Sequence, residues 1–307
     1  MKPLASLVPL AAMILTSASA WGSSPDNISA LDDRGHKVHL ERAPLRVVSL
    51  APSITETVFA LGLGDRVVGV SAHCDYPPAV EHLPRIGGFG SPDIERIVSL
   101  APDIVLTTTV VQELVRRQLV SLGIPVYIVY PTTLEHLVDS TRRLGHMLGA
   151  EAAGERLAAT LDARIERVRV RAAAIEPMAQ MTVFLEIDSH PLFTATGSSF
   201  EGSLLRCAGG KNLAEAMDRD YSRIDQETVI AADPDVIITT HGRENAKTIE
   251  ARRGWGHLSA VRNGRILTDL DPDLLVRPGP RAVDGLEVLV QHLYPAVVSD
   301  TQAPVAP

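Results

Sequence analysis

The sequence predicts an α/β protein built from two Rossmann-like lobes. The first observation is an internal repeat: residues 91–108 read SPDIERIVSLAPDIVLTT, and residues 223–240, which lie 132 positions further on (223 − 91), read RIDQETVIAADPDVIITT. The second is the alternation of short apolar runs with helical segments in both halves of the chain. The third is a long helical tract between the two repeat copies. A helix-then-strand unit that occurs twice, far apart, predicts two lobes of similar construction.

The two repeat copies share six residues, which are Asp93 and Asp225, Glu95 and Glu227, Pro102 and Pro234, Asp103 and Asp235, Thr107 and Thr239, and Thr108 and Thr240. In the first copy, Ser91 before Pro92 is expected to begin a helix whose dipole favours acidic residues in its first turn. Pro102 stops that helix before the apolar run 104–106, which is typical of a strand covered on both faces. The shared glutamate lies at the exposed helix start, where core packing does not require it, so it is a candidate functional residue.

The first lobe, residues 21–131, is predicted to contain an open and largely parallel sheet. A turn at 32–35 separates two short strands near its start. Further strands and helices then alternate, which is typical of a parallel sheet. They are strand 46–50, helix 55–63, strand 67–70, the first repeat unit, helix 112–122 and strand 126–129.

Residues 132–176 form the longest helical tract and lie between the lobes. Thr132 and Glu135 have the spacing of a capping box, and apolar residues recur with helical period over 134–148 and 157–168. Gly149 is a possible break. We therefore expect either one continuous crossover helix or two packed helices joined at Gly149.

The second lobe, residues 177–295, repeats the alternation of strands and helices. Its predicted elements are strand 182–187, helix 200–207, the second repeat unit, strand 265–268 and a closing helix over 283–293. Residues 296–307 are polar and rich in proline, and we expect them to form a disordered tail.

The first 20 residues predict export. They combine Lys2, an apolar run over 4–15 and the small residues Ala18-Ser19-Ala20, as in a cleaved secretory signal peptide. The apolar run is too short to span a membrane.

Composition excludes two classes of protein. The formal net charge of −8 argues against a nucleic-acid partner. The chain has only two cysteines, Cys74 and Cys207, so it is not a disulfide scaffold. They fall in different predicted lobes, and whether they pair is left open.

Catalytic signatures are scarce, and we expect neither an enzyme nor a cofactor. The segment 197–202 (GSSFEG) lacks glycines two residues either side of a serine, which a nucleophile elbow requires. A serine hydrolase that uses Ser198 or Ser199 with His190 or His241 is therefore a weak alternative. His73, His190 and His241 each follow a predicted strand and could bind zinc, but their spacing is not diagnostic, and we predict no metal site.

The expected ligand cleft lies beyond the carboxyl ends of the strands. Aromatic side chains there suit a large, flat and partly apolar ligand better than an inorganic ion or a simple sugar. The residues that we select as ligand contacts are Ser53, Tyr76, Phe89, Thr108, Phe193, Tyr221, His241 and Trp255.

Three segments resemble the substrate-binding proteins of cobalamin and ferric-siderophore ABC importers. They are RVVSLAPSITETVFALGLGDRVVGVSAHCDYPPAVEHLPRIGGFGSPDIERIVSLAPDIVL (46–106), LLRCAGGKNLAEA (204–216) and RPGPRAVDGLEVL (277–289). The resemblance covers nearly all of the chain after the signal peptide. It implies a periplasmic, monomeric binding protein with two α/β lobes joined by a single long α-helix and a ligand cleft between the lobes.

Within that family, the CDYPP and LPRIGGF segments look more like the cobalamin branch. The resemblance carries aromatic ligand contacts over to Tyr76, Phe89 and Tyr221, whereas Thr108 and Ile187 stand where some cobalamin binders have aromatic residues. The alternative ligands are a ferric siderophore or haem, which Arg243, Arg277, His73 or His241 could contact.

The resemblance also implies a partner. A glutamate at the top of each lobe docks onto arginines of the permease dimer, which works with ATPase subunits, and the matching positions are Glu95 and Glu227. A two-fold symmetric permease explains why a monomer displays the same charge twice.

Overall fold

The computed structural model describes residues 26–108 and 112–295. The predicted signal peptide (1–20) and tail (296–307) lie outside these ranges. Among the residues within them, no helix combines the length and the apolar character needed to cross a bilayer.

The first lobe begins with an antiparallel hairpin of β1 (Asp26–Leu31) and β2 (Lys37–Arg42). The Asp32 carboxylate accepts hydrogen bonds from the backbone N–H groups of Arg34 and His36, which holds the turn. The elements that follow are β3 (Val47–Ser49), α1 (Pro52–Ala60), β4 (Val67–Val70), α2 (Ile94–Ser99), β5 (Ile104–Thr107), α3 (Glu113–Ser121) and β6 (Val126–Ile128). The four strands form one sheet in the order β4-β3-β5-β6, and all are parallel, so this prediction is confirmed.

Apolar side chains cover both faces of this sheet. Val47 and Ile104 belong to one buried cluster, whereas their neighbours Val48 and Val105 belong to another. Successive residues of a strand point to opposite faces. The strands therefore need apolar residues at every position, which explains the uninterrupted apolar runs in the sequence.

Two packed helices connect the lobes, α4 (Leu134–Met147) and α5 (Glu151–Ala173). Gly149, with a φ of 68°, separates them, so the second of our two alternatives is correct and α5 alone is the single long helix. A Cβ at Gly145 would lie 2.5 Å from the Cα of Gly154, so these glycines allow the helix backbones to approach closely. The N-cap of α4 is Thr133, not Thr132 as predicted.

Helix α5 carries the chain from one core to the other. Its buried positions are Gly154, Ala158, Leu161, Ile165, Val168 and Ala172, with alternating spacings of four and three that keep them on one face. From Ala158 onwards these residues pack into the core of the second lobe, whereas Leu144 and Met147 of α4 pack into the core of the first.

The second lobe contains a mixed sheet. Its elements are β7 (Thr182–Ser189), β8 (Leu192–Ala195), α6 (Phe200–Cys207), β9 (Lys211–Asn212), β10 (Tyr221–Arg223), α7 (Gln226–Ala232), β11 (Val236–Thr239), α8 (Ala246–Glu250), α9 (Ser259–Arg262), β12 (Ile266–Leu267), α10 (Asp273–Val276) and α11 (Ala282–Leu293). The strand order is β10-β8-β7-β11-β12, with β9 also beside β7. Strand β8 pairs antiparallel with both β7 and β10, an arrangement that the sequence analysis missed because neither β8 nor β10 has an uninterrupted apolar run.

The repeat units α2–β5 and α7–β11 begin with the same cap. The carboxylate of Asp93 accepts a hydrogen bond from the backbone N–H of Arg96 at 3.0 Å, and Asp225 accepts one from Thr228 at 2.7 Å. Asp93 is therefore the N-cap of α2, and the prediction that Ser91 begins the helix is wrong. The cause is that a carboxylate three residues before the N–H can reach it directly.

The shared aspartates at the strand starts are also structural. Asp103 accepts hydrogen bonds from the backbone N–H groups of Leu45 and Arg46, each at 2.8 Å. Asp235 accepts one from Thr182 at 2.8 Å. Each aspartate thus ties its repeat unit to the start of the neighbouring strand.

Candidate functional site

The two lobes meet through a group of charged side chains, which we call the interlobe cluster: Glu56 and Asp75 from the first lobe, and Asp271, Asp273, Arg277 and Arg281 from the second. Arg277 is its centre, since it contacts Asp75 at 2.6 Å, Glu56 at 3.1 Å and Asp273 at 2.8 Å. Four carboxylates thus surround two guanidinium groups. Both arginines are already paired, and the cluster has an excess of negative charge.

Glu56 is the buried member of the cluster. Its side chain is 2% exposed, and its Oε2 atom has no hydrogen-bond partner among the described residues. Burial raises the pKa of this carboxyl, and the hydrogen bond from Arg277 opposes that rise. Helix α1 holds Glu56 against the second lobe, where Gly279 packs on the backbone of Ser53.

Tyr76 lies beside the interlobe cluster with its side chain partly open to solvent. The Arg281 guanidinium stacks on the ring at 4.3 Å from its centroid, a cation–π contact. Tyr76 also lines a groove of about 370 Å³ between the lobes. The groove is lined by Glu56, Phe59, Ala60, Tyr76, Pro77, Leu157, Thr160, Leu161, Arg164, Pro280, Arg281 and Asp284.

A second contact joins the lobes through Tyr130, whose hydroxyl donates a hydrogen bond to Asp220 Oδ2 at 3.0 Å. The next residue, Tyr221, therefore lies at the lobe boundary, as Tyr76 does beside Asp75. Both tyrosines are 44% exposed. Each lobe thus presents one half-exposed tyrosine next to an aspartate that bonds to the other lobe.

The hydroxyl of Tyr221 is held by a buried acid. It donates to Glu201 Oε1 at 2.9 Å, and Glu201 is 3% exposed in the first turn of α6. Burial raises the pKa of Glu201 to about 7. Burial and the neighbouring Glu201 carboxylate together raise the pKa of the Tyr221 phenol, so Tyr221 stays protonated.

The remaining predicted ligand residues differ in how much surface they offer. Phe89 and Phe193 are partly buried, and each retains some accessible surface. Ser53 and Thr108 are buried, at 7% and 5% exposure, and offer little to a ligand. Which of these residues contact a ligand stays a prediction.

Two predicted ligand contacts need correction. Trp255 is fully buried in the second-lobe core, where its ring packs edge-on against Phe184 at 6.0 Å. The His241 side chain is 3% exposed, and its Nε2 lies 2.8 Å from the buried carboxylate of Glu186, which also binds Arg252. Both side chains stabilise the lobe, and neither offers an open surface to a ligand.

Both serines of the alternative hydrolase site have hydrogen-bond partners close to them in the chain. Ser199 caps α6, because its hydroxyl accepts from the Gly202 N–H at 2.9 Å, and the Ser198 hydroxyl lies 3.0 Å from that of Thr196. Across residues 26–108 and 112–295, no three histidine, cysteine or acidic side chains are grouped to hold a metal ion. Cys74 and Cys207 are both free thiols.

The shared glutamates Glu95 and Glu227 are exposed in the first turns of α2 and α7. Neither forms a hydrogen bond or ion pair with another described residue. The shared aspartates have structural roles, as shown above, so the glutamates are the shared acidic residues that the fold does not use.

Sequence reasoning missed several residues of the lobe boundary, above all Glu56, Tyr130, Glu201 and Asp220. One signal was available: Glu56 is the sole charged residue between Arg46 and Asp65. An isolated carboxylate in an uncharged helix is either buried with a partner or functional. The other three have no comparable pattern, since they are separated from their partners by 20 to 90 residues.

Comparisons with known proteins point to one family. Residues 47–274 match the model of a family described as periplasmic binding protein. An uncharacterized ABC transporter substrate-binding lipoprotein, YvrC of Bacillus subtilis, is 32% identical over 86% of this chain and 85% of its own. The vitamin B12-binding protein of Photorhabdus laumondii is 30% identical over 83% of this chain and 90% of its own.

Solved structures agree on the fold and differ in their ligands. The vitamin B12-binding protein BtuF of Vibrio cholerae has a TM-score of 0.72 and 28% identity, covering 85% of this chain and 99% of its own. The haem-binding protein RhuT of Roseiflexus has a TM-score of 0.72 and 30% identity, covering 82% of this chain and 98% of its own.

Proposed function

Because the chain belongs to the periplasmic binding protein family, whose members are substrate-binding proteins and not enzymes, we propose that it captures a corrinoid such as cobalamin and delivers it to an ABC importer. The observation that carries the proposal is the pair of half-exposed tyrosines, Tyr76 and Tyr221, one in each lobe at the boundary. Exposed aromatic surface on each lobe at the boundary suits a large, partly apolar macrocycle.

The charges at the lobe boundary support a corrinoid over strongly anionic ligands. Arg277 and Arg281 are paired with the carboxylates of the interlobe cluster, so neither is free to bind haem propionates or an anionic siderophore without breaking an ion pair. The Tyr221 hydroxyl donates a hydrogen bond to Glu201, and the pKa of the Tyr221 phenol is raised. Both effects disfavour the tyrosinate form that would bind iron.

The test is calorimetric titration of the purified protein with cyanocobalamin. We expect one-to-one binding that weakens about tenfold or more in Tyr76→Ala and in Tyr221→Ala, because each variant loses aromatic surface that the bound ligand would cover. Met178→Ala is the control, since Met178 is 95% exposed in a 3₁₀ turn after α5. No heat with cyanocobalamin but saturable binding of hemin or a ferric siderophore would transfer the proposal to the haem or siderophore branch.

Haem is the second candidate, since RhuT is as similar in fold as BtuF. In that case an axial ligand must reach the iron, and Tyr76 and His73 are the exposed donors near the boundary. A Soret band that shifts in Tyr76→Phe or His73→Ala would favour this candidate. If the ligand is instead a ferric siderophore, titration with a ferric chelate should show saturable binding and no Soret band.

Export and delivery are part of the proposal. We infer that the signal peptide is cleaved after Ala20. N-terminal sequencing of the exported protein should then give Trp21 as the first residue. We infer that the monomer docks on the permease dimer through Glu95 and Glu227, one on each subunit. The double variant Glu95→Arg/Glu227→Arg should bind ligand normally yet abolish uptake, and normal uptake would exclude this role.

A further inference from the structure

The two helices that carry the shared glutamates also expose an apolar side chain at matched positions. Val98 in α2 is 41% exposed and Ile230 in α7 is 36% exposed. They lie 132 positions apart (230 − 98), the same offset that separates Glu95 from Glu227. The repeat aligns the two residues, and the structure adds that both are exposed.

In each helix the glutamate and the apolar residue share one outward face. Residues three apart lie on the same side of a helix, so Glu95 lies beside Val98, and Glu227 beside Ile230. The residue after the apolar one is small and exposed in both helices, Ser99 and Ala231. Each face therefore consists of a carboxylate, a β-branched side chain and a small residue.

The fold covers these apolar side chains only in part, and Ile230 lies over Gly254. The residues that attach each helix to its core are Ile97 and Val229, both 0% exposed. A single exposed apolar residue is common on protein surfaces. Two at equivalent positions, each one turn from an unpaired glutamate, indicate a surface that is covered by a partner.

Resting on the proposed docking role, we propose that each permease contact has two parts: the glutamate, and the apolar side chain one turn further on, Val98 in one lobe and Ile230 in the other. The partner is the permease dimer itself, because its two-fold axis presents the same surface twice and the two faces here form a matched pair. The permease surface that fits each of these faces has a basic residue next to an apolar patch.

The two parts have different physical signatures. An ion pair at the rim of an interface is screened by salt and acts mainly on encounter and register. Burial of Val98 and Ile230 is insensitive to moderate salt and slows dissociation. Affinity measured at two salt concentrations therefore separates the contributions.

The experiment measures binding of the ligand-free protein to the reconstituted permease–ATPase complex at about 50 mM and about 500 mM salt. We expect Val98→Ser/Ile230→Ser to bind about tenfold or more weakly at both salt concentrations, with the wild-type salt dependence retained. The matched control is Leu114→Ser/Val170→Ser, at positions 68% and 62% exposed in α3 and α5, which should bind as the wild type does.

The glutamate variant separates this inference from the docking proposal. Glu95→Gln/Glu227→Gln should bind weakly at low salt and lose most of its salt dependence. If that variant binds weakly while Val98→Ser/Ile230→Ser binds like the wild type, the docking proposal stands and the two-part contact is overturned. If the glutamate variant also binds like the wild type at both salt concentrations, docking through these helices is excluded altogether. Unchanged cyanocobalamin or hemin titration and circular dichroism verify that each variant is folded.

Discussion

Replacing the buried Glu201 by glutamine should change how the stability of the protein depends on pH. Folding raises the pKa of this carboxyl from its ordinary 4.5 to about 7, so the folded state favours the protonated form. The free energy of unfolding is therefore full below pH 4.5, falls as the pH rises through this window, and stays reduced above pH 7.

The size of the effect follows from the rise of the Glu201 pKa from 4.5 to about 7. At ~1.4 kcal/mol per unit, ionised Glu201 lowers the free energy of unfolding by about 3 kcal/mol at pH 8, and by about 1 kcal/mol at pH 5. Glutamine never ionises, and its carbonyl still accepts the hydrogen bond from Tyr221. Glu201→Gln should therefore be more stable than the wild type by up to about 3 kcal/mol at pH 8, with a smaller gain at pH 5.

Urea unfolding of both proteins at pH 5 and pH 8 measures this difference. The control is Glu250→Gln, at the exposed end of α8, which should leave the pH dependence unchanged. A Glu201→Gln protein whose stability relative to the wild type is the same at both pH values would refute the reasoning, because it would mean that Glu201 is not held protonated by burial.

Two further predictions concern the lobe boundary and the helix pair. Arg277→Gln leaves Glu56 buried beside only Arg281 and should lower the free energy of unfolding by about 3 kcal/mol at pH 8. Adding Glu56→Gln should recover most of the loss in urea unfolding, and no recovery would show that the pair is not coupled. Gly145→Ala places a Cβ 2.5 Å from the Cα of Gly154. It should lower the free energy of unfolding by about 1–3 kcal/mol, because α4 must move away from α5 to make room. The loss is measured as a fall in melting temperature, and the control is Gly256→Ala, because no atom lies within 4 Å of a Cβ added there. An equal fall in melting temperature in both variants would contradict the packing argument.

Much of the fold could be predicted because it depends on local patterns. The four parallel strands of the first lobe follow from uninterrupted apolar runs between helices, and the closing helix α11 follows from its apolar period. Strands β8 (LFTA) and β10 (YSR) could not be predicted, because neither has the uninterrupted apolar run that marks the strands of the first lobe. The break at Gly149 was one of two alternatives, and the choice depended on the close approach of Gly145 to Gly154.

The candidate site was predicted less well, since a loop position after a strand does not define where a side chain points. Tyr76 and Tyr221 are half-exposed at the boundary, whereas Trp255, selected by the same argument, lies in the core. A large aromatic residue next to a strand end can pack inward or face a cleft. Only its tertiary neighbours, here Phe184 and Arg252, decide between the two.

The sequence by itself determined that the chain has two α/β lobes, that a helical tract joins them, and that the same acidic residue recurs at the start of one helix in each lobe. These features are encoded in periodicity and repetition, which act over short stretches of chain. The tertiary structure decided which charges cross between the lobes, which tyrosines stay open, and that Val98 and Ile230 are exposed beside the repeated glutamates. The reason is that burial and ion pairing depend on residues distant in the sequence, such as Asp75 and Arg277, which only the complete fold brings together.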